Sequence, residues 1–162
     1  MNINELLLAQ LEREAPATRK TLERVPDGKP DWKPHPKSME LGYLSELVAV
    51  MFGWIATMVD SDSLDLASGK RTPVTTSADR LALFDKSLAD ARRALSGTTD
   101  EHLMKSWQLL VAGNVVDEKP RHVMITDTFS HLAHHRGQLS VYLRLNEQPV
   151  PSIYGPTADE RW

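Results

Sequence analysis

The sequence predicts an all-α fold: a single domain spanning 1–162, built as an antiparallel four-helix bundle with a small hairpin before the last helix. Three observations predict it. Apolar residues recur at three- and four-residue spacing in four separate stretches, the period that gathers side chains on one face of an α-helix. Proline and glycine crowd the segments between those stretches, where they break regular structure. One short stretch ahead of the last helix drops the helical rhythm for two apolar runs around Ala-Gly-Asn, the texture of a hairpin.

The first helix is expected over 3–24, where leucines stand at 6, 7, 8, 11 and 22 among Glu, Gln, Arg and Lys. Pro16 cannot donate to residue 12, so a kink or a restart is expected there. "VPDGKPDWKPHPK" then packs four prolines and a glycine into thirteen residues, a connector whose Trp32 suggests order. Ser38 stands where an N-cap belongs, with Glu40 in the first turn. Leu41, Leu44, Leu47, Val48, Met51, Ile55 and Met58 carry the second helix over 39–59.

After a polar connection, Leu81, Phe84, Leu88, Ala91 and Leu95 predict a third helix over 78–95, with Gly97 as its stop. "MKSWQLLVAGNVVDEK" is the hairpin candidate. Pro120 suits the first turn of a helix, and with no further proline before Pro149 the fourth helix is expected over 120–147. "PVPSIYGPTADERW" forbids continuation, and its Ile153, Tyr154 and Trp162 suggest a tail that docks on the bundle. Two long connections permit a crossover topology.

Composition narrows the functional classes. Apolar residues make up 41% and charged residues 25% of 162, enough for one core without disulfide or metal staples. A net charge of -3 with scattered Lys and Arg offers no basic field, so nucleic acid is not an expected partner. The N-terminal stretch has three consecutive leucines before charge returns, too few for a signal-peptide core or a membrane span. No membrane association is expected. Zero cysteines exclude disulfides, thiolate catalysis and a Cys-type zinc site, and suit a reducing compartment, so the cytoplasm is the expected location.

The chemistry-bearing residues lie on the last helix. Thr128, His131, His135, Gln138 and Tyr142 form one stripe beside the apolar stripe of Ile125, Phe129, Leu132, Leu139 and Leu143. Two histidines four apart have side-chain roots roughly 6 Å apart, so both rings can reach one divalent ion at about 2.1 Å. His134 lies about 100° around from His135, which favours His131 with His135 as the metal-ligating pair. Asp127 continues the stripe but sits about 12 Å along the axis from His135, a surface or supporting group. Helical histidines are also commonly hydrogen-bonded packing residues, and Trp32, Trp54, Trp107 and Tyr142 read first as core or cover. Arg136 and Gln138 are expected to bond the tail or a neighbouring helix, and Asp159 and Glu160 to be solvated or paired with Arg161.

"HLAHHRGQLSVYLRLNEQPVPSIYGPTADE" and "DWKPHPKSMELGYLSEL" resemble the DinB-like family, damage-inducible four-helix-bundle proteins related to bacillithiol and mycothiol transferases. The resemblance covers most of the chain. It implies an up-down-down-up bundle, frequently homodimeric, with nickel or zinc held by one histidine of the second helix and two of the last in HxxxH spacing. His131 and His135 match the latter two. The helix-two position falls at Leu47, which cannot bind a metal, so the resemblance implies a degenerate histidine site with metal weak or absent. Glu46, adjacent but about 100° around the helix, is a poor substitute, while His35 and His102 in loops could reach in. The implied activities are metal-dependent transfer of a low-molecular-weight thiol, the ion lowering the thiol's pKa, or hydrolysis. The rival expectation is a non-catalytic bundle that binds a small molecule or serves a stress response.

Overall fold

The computed structural model describes residues 2–69 and 74–161 of the chain. Among them the elements run α1 (Ile3–Glu23), α2 (Leu41–Asp60), β1 (Ser63–Asp65), α3 (Ser77–Gly97), the single turn α4 (Asp100–Leu103), β2 (Ser106–Val111), β3 (Asn114–Pro120) and α5 (Arg121–Leu145). The four long helices lie within two residues of their expected bounds. The all-α expectation needs correcting: the protein is mostly helical but carries a three-stranded sheet in the order β1-β2-β3.

Local chemistry explains where each helix starts. Glu5 accepts from the Asn2 backbone N–H at the head of α1, and Asp100 accepts from Ile3 N–H at 2.8 Å. The cap of α2 is Glu40, not Ser38. The proline-rich connector itself satisfies the orphan donors there: Leu41 and Gly42 N–H donate to the carbonyls of Trp32 and Pro30 at 2.8 and 2.9 Å. A Cβ on Gly42 would stand 3.0 Å from Pro30 Cβ, so this close approach needs glycine. Thr76 caps α3 by accepting from Asp79 N–H. Pro16 does not restart α1, which runs unbroken past it. Pro16 and Glu12 are both exposed, so the carbonyl left without a donor can turn to water.

Contacts fix the helix directions. Arg92 with Glu12 and Arg19 with Asp85 make α1 and α3 antiparallel. Arg80 with Ser45 and Arg93 with Asp60 make α2 and α3 parallel, which requires the long crossover through β1. Tyr142 with Met39 and Thr128 with Met58 make α2 and α5 antiparallel. Phe52 sits at the centre, its ring 5.9 Å from Phe84 and 6.3 Å from Phe129. Among the described residues α2 is the one helix long and apolar enough to cross a membrane. Here it lies against α3 and α5, with Leu44, Val48, Met51 and Ile55 fully buried.

The hairpin is present where the two apolar runs around Ala-Gly-Asn placed it, turning at Ala112 and Gly113 with φ of 49° and 79°. Two positive φ values match the turn whose twist suits paired strands, at a cost for a residue with a Cβ. β1, unexpected, pairs parallel with β2. The Asp65 carboxylate at its end accepts from the N–H groups of Ala67, Ala112 and Gly113 at 2.8–3.0 Å. One side chain thus ties the crossover to the hairpin turn and places the sheet beside α2 and α5.

The tail docks as expected, with Arg136 bonding both Tyr154 and α1, while its two acids pair with residues other than Arg161. Glu160 pairs with Lys20 and Arg24, and Asp159 with Arg144. Tyr154 Oη reaches Glu14 and Arg136. Trp162 lies outside the described residues.

Candidate functional site

α5 is aimed from its opposite side. Arg136, 1% exposed, donates to Glu14 Oε2 at 2.6 Å, to Thr18 Oγ1 at 2.7 Å and to Tyr154 Oη at 2.6 Å. The neighbouring residue on the helix lies about 100° around the axis, so anchoring Arg136 against α1 turns His135 toward α2. His135 is buried, whereas His131 is largely exposed with its ring 5.8 Å from that of Trp54.

The two imidazoles meet nitrogen to nitrogen. His135 Nε2 lies 2.8 Å from His131 Nε2, and His135 Nδ1 lies 2.7 Å from Gln138 Oε1. The chain of contacts assigns the protons: an amide oxygen only accepts, so His135 Nδ1 carries the hydrogen, and in a neutral ring its Nε2 then accepts from His131 Nε2–H. Partial desolvation, together with the rings of His135 and His134, holds the His131 pKa below its ordinary value, consistent with this neutral arrangement. His134 is exposed, its ring 4.9 Å from that of His135.

The donor set does not fit the three-ligand metal site that the resemblance implies. Two nitrogens bound to one tetrahedral ion at about 2.1 Å stand roughly 3.4 Å apart, and here they are at hydrogen-bond distance. Among the described residues no group of three His, Cys, Asp or Glu converges. His35 accepts from Lys37 N–H, and His102 Nε2 lies 2.8 Å from the Val59 carbonyl, so neither loop histidine reaches in. Glu46 is buried and accepts from Val74 N–H. The α2–α5 register sets Trp54 against His131. Leu47 is two turns away on the same face of α2, toward the Tyr142 end, and is half-buried.

Beside His131 opens a cleft of about 270 Å³ between α2, α5 and the sheet. Its walls are apolar, with Trp54 and Met58 from α2, Met124 from α5 and Trp107 from β2, while Asp117 and Asp127 stand among its lining. Lys119 bridges these two carboxylates at 3.0 and 3.1 Å. Asp127 is therefore a cleft residue. The arrangement offers an apolar seat, a neutral imidazole pair at one side and acidic groups at another.

No family model matches the sequence. Over 159 residues, 96% of this chain and 89% of the relative, it is 28% identical to the uncharacterised protein YrdA of Bacillus subtilis strain 168. A DinB-like protein of Bacillus cereus superposes with a TM-score of 0.73 and 20% identity, over 93% of this chain and 97% of that one. The DinB-like protein YjoA of Bacillus subtilis gives 0.71 and 17%, over 96% and 99%. The fold is DinB-like. Within this fold the structure brings together His131, His135 and Gln138, and it sends Arg136 to α1 and the tail. Sequence reasoning missed Gln138 as the group that orients His135, and it missed the sheet wall of the cleft. The alternation of Leu64 with Leu66 and of Trp107 with Leu109 was the signal for that wall.

Proposed function

We propose that the protein is a DinB-like four-helix bundle of up-down-down-up order, elaborated by a sheet, that binds a small molecule in the cleft beside His131. In this reading His131 and His135 are the remnant of a metal site, and the protein performs no metal chemistry. The observation that carries it is the 2.8 Å contact between the two imidazoles: each ring satisfies the other, with Leu47 at the position where the resemblance calls for a third imidazole. A ring pair closed on itself needs no ion, and an apolar cleft beside it favours ligands that shed water.

Elemental analysis of untagged protein, before and after chelation, tests the reading. The expected result is zinc and nickel well below one per chain and a melting temperature that chelation leaves unchanged. One tightly held ion per chain would contradict it. That outcome would favour the second reading, a metal-dependent thiol transferase, for which the convergence of the two Nε2 atoms is the supporting observation.

A further inference from the structure

The walls of the cleft narrow the chemistry of what it takes. At about 270 Å³ it is nearly twice the roughly 150 Å³ of an apolar cavity that holds a benzene ring, so a fused two-ring body fits. Ordered water suits it poorly, because a buried water needs two to four polar partners. The hydroxyls of Thr57 and Thr128 already donate within their own helices, to the carbonyls of Gly53 and Met124.

Charge decides the rest. Among the described residues the charged side chains lining the cleft are Asp117 and Asp127, with no Lys or Arg among the lining. The single ammonium of Lys119 spans both carboxylates, leaving one negative charge in excess at the mouth. An entering anion meets like charge, which costs affinity, and an entering cation completes the balance. Trp54, half-buried, adds an aromatic face that favours both a ring and a nearby cation, over a floor that includes the buried Trp107.

We propose that this cleft binds a small apolar amine, its ring body against Trp54 and Trp107 and its ammonium against Asp117 and Asp127. The proposal rests on the reading of the cleft as a ligand site and goes beyond it by fixing the sign of the ligand's charge. Isothermal titration with 1-naphthylmethylamine and with 1-naphthylacetate, which share a ring body and differ in charge, tests it. The amine is expected to bind one per chain, at least about tenfold more tightly than the anion, and to weaken as salt screens the carboxylates.

Asp117→Asn with Asp127→Asn should weaken the amine about tenfold and leave the anion unchanged or improved. Both positions are substantially exposed in side chain, at 39% and 56%; loss of both compounds in the variant marks misfolding, and the wild-type comparison of amine with anion then decides. Leu66→Trp at the rim, where Leu66 is 57% exposed, should block the amine. Anion binding equal to or tighter than the amine overturns the proposal and leaves the ligand cleft standing. Absence of binding by both compounds overturns both, and amine binding untouched by Leu66→Trp places it elsewhere and overturns the proposal.

Discussion

Replacing Glu14 by Leu should destabilise the protein severely, because it strands a buried charge. The Arg136 guanidinium, 1% exposed, has Glu14 as its buried counter-charge at 2.6 Å; Glu14 itself is 4% exposed. After the substitution Arg136 keeps neutral partners only, Thr18 Oγ1, the residue 14 carbonyl and Tyr154 Oη. Removing one partner of a buried pair costs about 3–5 kcal/mol, a large share of the ~5–15 kcal/mol that holds a domain folded. At about 2–4 °C per kcal/mol for a chain of this size, the melting temperature should fall by about 6–20 °C. The double variant Glu14→Leu, Arg136→Met removes both charges and substitutes apolar groups of similar volume, so it should recover most of the loss. Thermal melts followed by circular dichroism measure Glu14→Leu, Arg136→Met and the double variant. A fall under about 2 °C for Glu14→Leu, or a double variant that merely sums the singles, would refute the claim that this pair sets the rotation of α5.

Other expectations are briefer. Ala112→Asn should raise the melting temperature by about 2–4 °C, since a residue with a Cβ in the left-handed region costs about 1–2 kcal/mol and Asn tolerates it; a decrease would contradict the turn assignment. Asp65→Ala should lower stability and open the hairpin to proteolysis near residue 112, because three backbone N–H groups lose their acceptor; an unchanged cleavage pattern would count against it. The His131 pKa is depressed below its ordinary 6.5, so between the two values the unfolded chain binds more protons. Its contribution is therefore full above about pH 6.5 and lost as pH falls through the folded value; His131→Gln should flatten that acid limb in a melting series, and an identical pH profile would remove His131 as the cause. By resemblance the protein is expected to be a homodimer, and light scattering at micromolar concentration should give twice the chain mass, with a clean monomer contradicting it.

The helices were legible because each combines an apolar period with breakers at its ends. Ser38 misled because the donors at the head of α2 are met by Trp32 and Pro30, tertiary partners that no local pattern reveals. β1 was illegible for a related reason: three residues in a polar linker become a strand through pairing with β2 and through the Asp65 bonds to a turn 47 and 48 residues away. At the site, HxxxH spacing correctly brought His131 and His135 together, because a helix fixes that geometry by itself. Gln138 was visible on the same stripe, but its bond to His135 depends on rotamers. The alternation of Leu64 with Leu66 and of Trp107 with Leu109 marked the cleft wall's residues, but only the pairing of β1 with β2 joins them into one wall.

The central claim is that the histidine pair is one ligand short, and calorimetric titration of zinc into wild-type protein and Leu47→His tests it most directly. Leu47 lies on the face of α2 that carries Trp54 but two turns toward the Tyr142 end, so an imidazole there must reach along the helix groove to meet His135. The account predicts weak zinc binding by wild type, tightening by at least about tenfold, ~1.4 kcal/mol, in Leu47→His. It also predicts a zinc-dependent rise in melting temperature in that variant, abolished by His131→Ala. Tight one-to-one zinc binding by wild type, with no gain from Leu47→His, would show that another residue completes the site and would contradict the account.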